Sequence, residues 1–112
     1  MSAKFKVDIT PSAEADIRDI WSYIAQDNPE QADAFIQVIT QQISTLETFP
    51  WRCPLIPENS MLGGSDYRHA LYGNYRTIFR IDESHVIILR VLHGARLLKL
   101  NYPWDALSRT SG

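Results

Sequence analysis

Six arginines fall between Arg52 and Arg96 of this 112-residue chain, and two of them, Arg76 and Arg80, share the stretch GNYRTIFRI. A guanidinium is a flat, permanently charged fork that meets two oxygens of a carboxylate or phosphate at once. Strand residues separated by an even number point to the same face, so Arg76 and Arg80 present two such forks on one side. Burying either without a partner is strongly destabilising. The spacing therefore calls for an anion, supplied by another molecule or by the chain's own carboxylates, with helix acids such as Asp16 or Asp19 in reach of a sheet arginine. Arg90, alone in the apolar run HVIILRVLH, reads as a packing residue or half of one ion pair.

Other chemistry is thinly represented. His69, His85 and His93 lack metal-ligand spacing and an accompanying acidic cluster, so neither a metal nor another cofactor is expected. A single cysteine, Cys53, allows no internal disulfide and makes a reducing cytoplasm the expected location. Gly63-Gly64 is not followed by the Lys-Ser/Thr of a phosphate-binding loop. No apolar run has the length of a membrane helix, and the N-terminus lacks a signal-peptide pattern, so no membrane partner is expected. The net charge of −2 hides an asymmetry: residues 1–50 carry three basic against eight acidic groups, residues 51–112 eight basic against five acidic. A general nucleic-acid binder is usually basic overall. Here any anionic partner is met locally, by the second half.

The elements that position these groups follow from periodicity. Phe5, Val7 and Ile9 alternate with polar residues, a half-buried strand. Thr10-Pro11 supplies an N-cap and a first-turn proline, and Ala13, Ile17, Ile20, Trp21 and Ile24 mark one helical face. That assignment puts Trp21 on the core stripe and leaves Tyr23 as an exposed contact. Asn28-Pro29 ends this helix and starts a second, with Gln31 completing a variant capping box and Ala32, Phe35, Ile36, Ile39, Ile43 and Leu46 as the stripe, closed at Phe49-Pro50. Residues 50–66, with three prolines and two glycines, read as a long irregular loop. Strands are expected at 67–72, 75–81 and 85–93, the first two joined by the two-residue turn Gly73-Asn74, the last a central strand covered on both faces. The result is an α+β domain, β-α-α-β-β-β, with a helical hairpin on one face of an antiparallel-rich sheet. Residues 1–101 form the domain and 102–112 a polar tail that frays.

With Gly73-Asn74 as the turn, Leu71 lies opposite Arg76, His69 opposite Ile78 and Tyr67 opposite Arg80, on one face. Arg68, Ala70, Tyr72, Tyr75, Thr77, Phe79 and Ile81 take the other, more apolar face, which suits the helices. The first face, mixed and aromatic, reads as a binding face. A one-residue slip would invert the assignment.

The runs AEADIRDIWSYIAQDNPEQADAFI, LETFPWRCP, YRHALYGNYRTIFRI and VIILRVLHGAR together resemble the RelE/ParE superfamily of bacterial type II toxin–antitoxin modules, its ParE branch most closely. The likeness runs from about Phe5 to Arg96. It implies the fold above and a toxin neutralised by a small cognate antitoxin, ParD-like or similar. ParE-like members act without catalysis, as poisons of DNA gyrase, with growth inhibition and plasmid stabilisation as consequences and no direct specific nucleic-acid binding by the toxin alone. RelE-like members are ribosome-dependent mRNA endonucleases, and that alternative would assign catalysis to Arg76, Arg96 and Tyr102. The strand before the turn, RHALY, lacks the lysines of that branch, and Pro103 follows Tyr102 directly. Several cations are needed around a phosphate whose charge grows in the transition state. The resemblance therefore implies the gyrase poison over the nuclease. Target- or antitoxin-binding candidates are Tyr23, Tyr67, His69, Arg76, Arg80, Arg96, Tyr102 and Trp104.

Overall fold

In the computed structural model, which describes residues 4–58 and 66–93, a helical hairpin packs on one face of a four-stranded sheet. Strand β1 (Lys6–Ile9) leads into α1 (Pro11–Asp27) and α2 (Pro29–Thr45); a short 3-10 turn (Pro50–Arg52) follows, then β2 (Arg68–Tyr72), β3 (Tyr75–Asp82) and β4 (His85–His93). Both helix starts form as the sequence indicates. The Thr10 hydroxyl accepts from the Ala13 N–H at 3.2 Å, and the Asn28 side chain accepts from the Gln31 N–H at 3.1 Å. Each satisfies a donor that the first turn leaves without an intrahelical acceptor. Helix α2 stops at Thr45, four residues short of the expected close.

Strand order is β1-β4-β3-β2, with β1 parallel to β4 and the other pairs antiparallel. β4 is thus the central strand its apolar run indicates. The hairpin register matches the turn assignment at every position from Arg68↔Phe79 to Tyr72↔Tyr75. Gly73 has φ of 54° while Asn74 does not enter the positive region. A glycine in the first central position is what a type II′ hairpin turn requires.

The core lies where the face assignment puts it. Phe35, Ile39, Ile43 and Leu46 of the hairpin pack with Ala70, Phe79, Val86, Ile88 and Val91 of the sheet. Trp21 departs from expectation: it is more than one-third exposed, and its indole N–H reaches the Asp33 carboxylate at 3.4 Å. Lying at the edge of the helical stripe, the ring spans the groove between the helices. Beyond Ile9 the edge of β4 is met by α1 in place of a strand. Asp16 accepts from the Val91 N–H at 2.9 Å and grips the Arg90 guanidinium at 2.6 and 2.8 Å. One carboxylate satisfies both the open ladder position and the arginine inside the apolar strand. Among the described residues, no helix is long and apolar enough to cross a membrane.

Candidate functional site

The loop after α2 is more structured than its composition suggests. After the 3-10 turn it runs as a strap along β2: Leu55 forms an antiparallel bridge with Arg68, the Ile56 N–H donates to the Tyr67 carbonyl at 3.0 Å, and the His69 N–H to Pro54 at 3.2 Å. Ile56 then folds onto the sheet face away from the helices, where it builds a second small core with Ile78, Leu92 and Tyr67. The face that reads from sequence as an open binding surface is therefore covered in part.

Arg76 sits beneath that strap. It is 6% exposed, and its two terminal nitrogens hold the two carboxylate oxygens of Glu58, 5% exposed, at 3.0 and 2.7 Å. This is the bidentate geometry of a strong charge-assisted pair. The anion that the arginine spacing calls for comes, at Arg76, from the chain itself. The expectation of an open fork here is corrected, because the strap closes over the strand and brings its own acid. Glu58 escapes periodicity arguments because it lies in an irregular segment. The one available signal is compositional: it is the sole acidic residue between Pro50 and Ser65.

His69 lies beside the pair and is also buried. Burial pushes its imidazole below the usual histidine range; Arg76 adds to that effect and Glu58 opposes it. Among the described residues its Nδ1 is buried without a hydrogen-bond partner, and a second cation against Arg76 would be repelled.

The remaining candidates are dispersed. Tyr67 joins the small core beneath the strap. Arg80 is one-third exposed and meets Asp82, two residues along the same strand, at 3.6 Å, a contact of the exposed kind that contributes little. Tyr23, 74% exposed, stands on the opposite side of the molecule, where it borders a cleft with Asp19, Ile20, Tyr75 and His93. Tyr75 packs edge-on against Phe35 and His93 there. Arg96, Tyr102 and Trp104 lie outside the described residues, as does the boundary between the domain and its tail. The structure thus brings Tyr67, His69 and Arg76 together and keeps Tyr23 apart. Among the described residues, no group of three His, Cys, Asp or Glu gathers as a metal site.

Sequence reading misses a second feature, an apolar region at the strap's start. Phe49, Trp51 and Leu55 are exposed, and the Arg68 guanidinium lies 5.3 Å above the Trp51 ring. Cys53, buried beneath, has its thiol pushed up by burial, with Arg52 and Arg68 opposing.

Comparison with known proteins agrees with this architecture. The family described as the ParE toxin of the type II toxin–antitoxin system, parDE, matches residues 7–98. The fold is similar to that of a solved chromosomal ParDE toxin–antitoxin system from P. aeruginosa, at 22% identity and a TM-score of 0.66, over 82% of this chain and 98% of that one. It is also similar to the crystal structure of the toxin–antitoxin complex RelBE2 from Mycobacterium tuberculosis, at 28% identity and a TM-score of 0.52, over 86% of this chain and 98% of that one. No curated protein matches the sequence.

Proposed function

The chain belongs to the ParE toxin family of type II toxin–antitoxin systems, and from that membership we propose that it halts growth without catalysis, by binding DNA gyrase, and is held inactive by a cognate antitoxin. The observation that carries the non-catalytic reading is the state of Arg76. Stabilising a cleaved phosphodiester requires preorganised cations aimed at developing charge. Here the strand arginine placed for that task has both terminal nitrogens committed to Glu58, and burial of the neighbouring His69 disfavours its charged form. The strand before the turn contributes no lysine. What remains accessible is suited to contact between proteins: exposed aromatic and aliphatic groups beside two arginines.

The decisive assay uses purified protein and gyrase. Loss of supercoiling, with accumulation of cleaved gyrase-bound DNA, is the expected result. Undisturbed supercoiling at saturating protein would sink the reading.

The likeness to the RelBE2 complex favours a second reading, a ribosome-dependent mRNA endonuclease using Arg76, Arg96 and Tyr102. It calls for new mRNA ends in a translation extract, abolished by Arg96→Ala or Tyr102→Ala. A gyrase poison leaves the mRNA intact.

A further inference from the structure

We infer that residues 95–104 return over the cleft between the C-terminal half of α1 and the paired ends of β3 and β4, seating a cation of this segment against Asp19. The inference stands apart from the gyrase and antitoxin readings. The cleft encloses about 590 Å³ and is lined by Asp19, Ile20, Tyr23, Tyr75 and His93. Its floor is aromatic: Tyr75, paired with His93 across the two strands, packs edge-on against Phe35 and His93, with ring centroids 5.1 and 5.6 Å away. At the rim Tyr23 is 74% exposed, while Ile17, Ile20 and Ile24 of the same helix pack on the core. A large ring left in water gains from being covered.

Charge selects the occupant. Among the described residues that line the cleft, Asp19 carries the one permanent charge, and its carboxylate makes no ion pair or hydrogen bond with any described residue. The acid one turn earlier, Asp16, is by contrast engaged with Arg90 and the Val91 amide. An uncompensated carboxylate beside the electron-rich faces of tyrosine rings suits a guanidinium or an ammonium, through an ion pair and a cation–π contact.

Connectivity names the source. β4 ends at His93, on the rim itself. The residues that follow, 94–104, carry two bases, Arg96 and Lys99, no acid, and the apolar Leu97, Leu98, Leu100 and Trp104. Three to six residues span at most about 10–20 Å, so both cations are tethered within reach of Asp19. An exposed ion pair and an exposed cation–π contact are each too weak to hold a cation from dilute solution. A short tether raises the local concentration to about millimolar, and leucine side chains laid over Tyr23 and Ile20 add apolar burial. A free cation has neither advantage, and a second copy lacks the tether. Residues 99–104 lie beyond the stretch, residues 7–98, that matches the ParE toxin family, so this contact does not follow from membership of it.

The placement bears on chemistry. Tyr75 and Arg76 are consecutive in β3 and so point to opposite faces, with Arg76 beneath the strap and paired with Glu58. A segment held on the Tyr75 side keeps Tyr102 across the sheet from Arg76. Two residues so separated cannot act on one phosphate.

The test is hydrogen exchange on the full chain, with a synthetic peptide of residues 94–112 as the unprotected reference. Residues 97–104 are expected to exchange about tenfold more slowly in the chain than in the peptide, equivalent to roughly 1.4 kcal/mol against local opening. Asp19→Lys and Tyr23→Ser each remove that protection. Adding Arg96→Glu and Lys99→Glu to Asp19→Lys restores it, a rescue that a general loss of stability does not give. Asp19 and Tyr23 are exposed, and unchanged exchange at Ile88 and Val91 in β4 checks that each variant folds. Exchange at the peptide's rate in the wild-type chain overturns the inference, as does protection that survives both Asp19→Lys and Tyr23→Ser. Protection that fades on dilution assigns the cleft to a second copy and overturns it equally. A charge reversal that fails to restore protection removes Asp19 as the anchor and refutes the pairing. No arm of the test involves gyrase or an antitoxin, so the proposed function stands or falls separately.

Discussion

Glu58→Gln is the most informative single change in the molecule. It keeps the side-chain volume, removes the charge and leaves the Arg76 guanidinium beneath the strap. Both groups are more than nine-tenths buried and joined at 3.0 and 2.7 Å, so solvent screening, which weakens exposed pairs to about 0–1 kcal/mol, does not apply. Removing one partner of a buried pair costs about 3–5 kcal/mol, because the other charge is left without compensation. Gln retains one acceptor for Arg76, which places Glu58→Gln near the lower end, about 3 kcal/mol. Arg76→Met takes the bidentate guanidinium from the buried carboxylate and belongs nearer the upper end, about 5 kcal/mol. Domains of this size have total stabilities of about 5–15 kcal/mol, so either change removes a large share. The double variant Glu58→Gln/Arg76→Met buries no charge and is expected to be more stable than Arg76→Met alone, giving a coupling energy of about 3 kcal/mol or more. Urea unfolding followed by tryptophan fluorescence and circular dichroism supplies the cycle. Hydrogen exchange locates the effect: the Ile56 and His69 amides, which tie the strap to β2, should exchange faster in Glu58→Gln while the core of β4 is unchanged. Single variants each costing under about 1 kcal/mol, or a double variant equal to the sum of its parts, would refute the reasoning, since the pair would then be behaving as a solvated one.

The other expectations are smaller in scale. His69 has its folded pKa pushed down, mainly by burial, so below about pH 6.5 the unfolded imidazole takes a proton that the folded one resists, and stability falls on acidification. Thermal melts at pH 7.5 and 5.5 should show a drop in wild type that shrinks in His69→Gln; equal drops in both would count against the assignment. Gly73→Ala meets no atom within 4 Å of the added methyl, leaving only the backbone term, about 1–2 kcal/mol for a non-glycine residue at positive φ. A cost within a few tenths of a kcal/mol of zero in urea titration would show the turn relaxing to another type. Asp16→Ala removes acceptors from both Arg90 and the Val91 amide and should cost about 3 kcal/mol or more, with fast exchange at Val91. An unprotected Val91 amide already in wild type would contradict the geometry.

What this sequence determined by itself is local. Thr10-Pro11 and Asn28-Pro29 start helices because a capping side chain and a fixed proline φ act within one turn. Gly73-Asn74 sets the register of β2 on β3 because a two-residue turn leaves one pairing, and that register assigns each residue to its face. The family likeness, carried by several spaced motifs, was equally legible. Tertiary structure decided everything that depends on an irregular segment returning to the sheet. Glu58 is separated from Arg76 by 18 residues with no period to relate them, so only the strap's path turns an apparently open arginine into a buried pair. Asp16 and Arg90 are 74 residues apart; their types made a pair plausible, but β1 ending at Ile9 chose which helix acid fills the exposed edge of β4. Trp21 shows the limit of periodicity: a stripe-edge residue is buried or exposed according to how far the neighbouring helix stands away, a distance set by packing and absent from the pattern of residues.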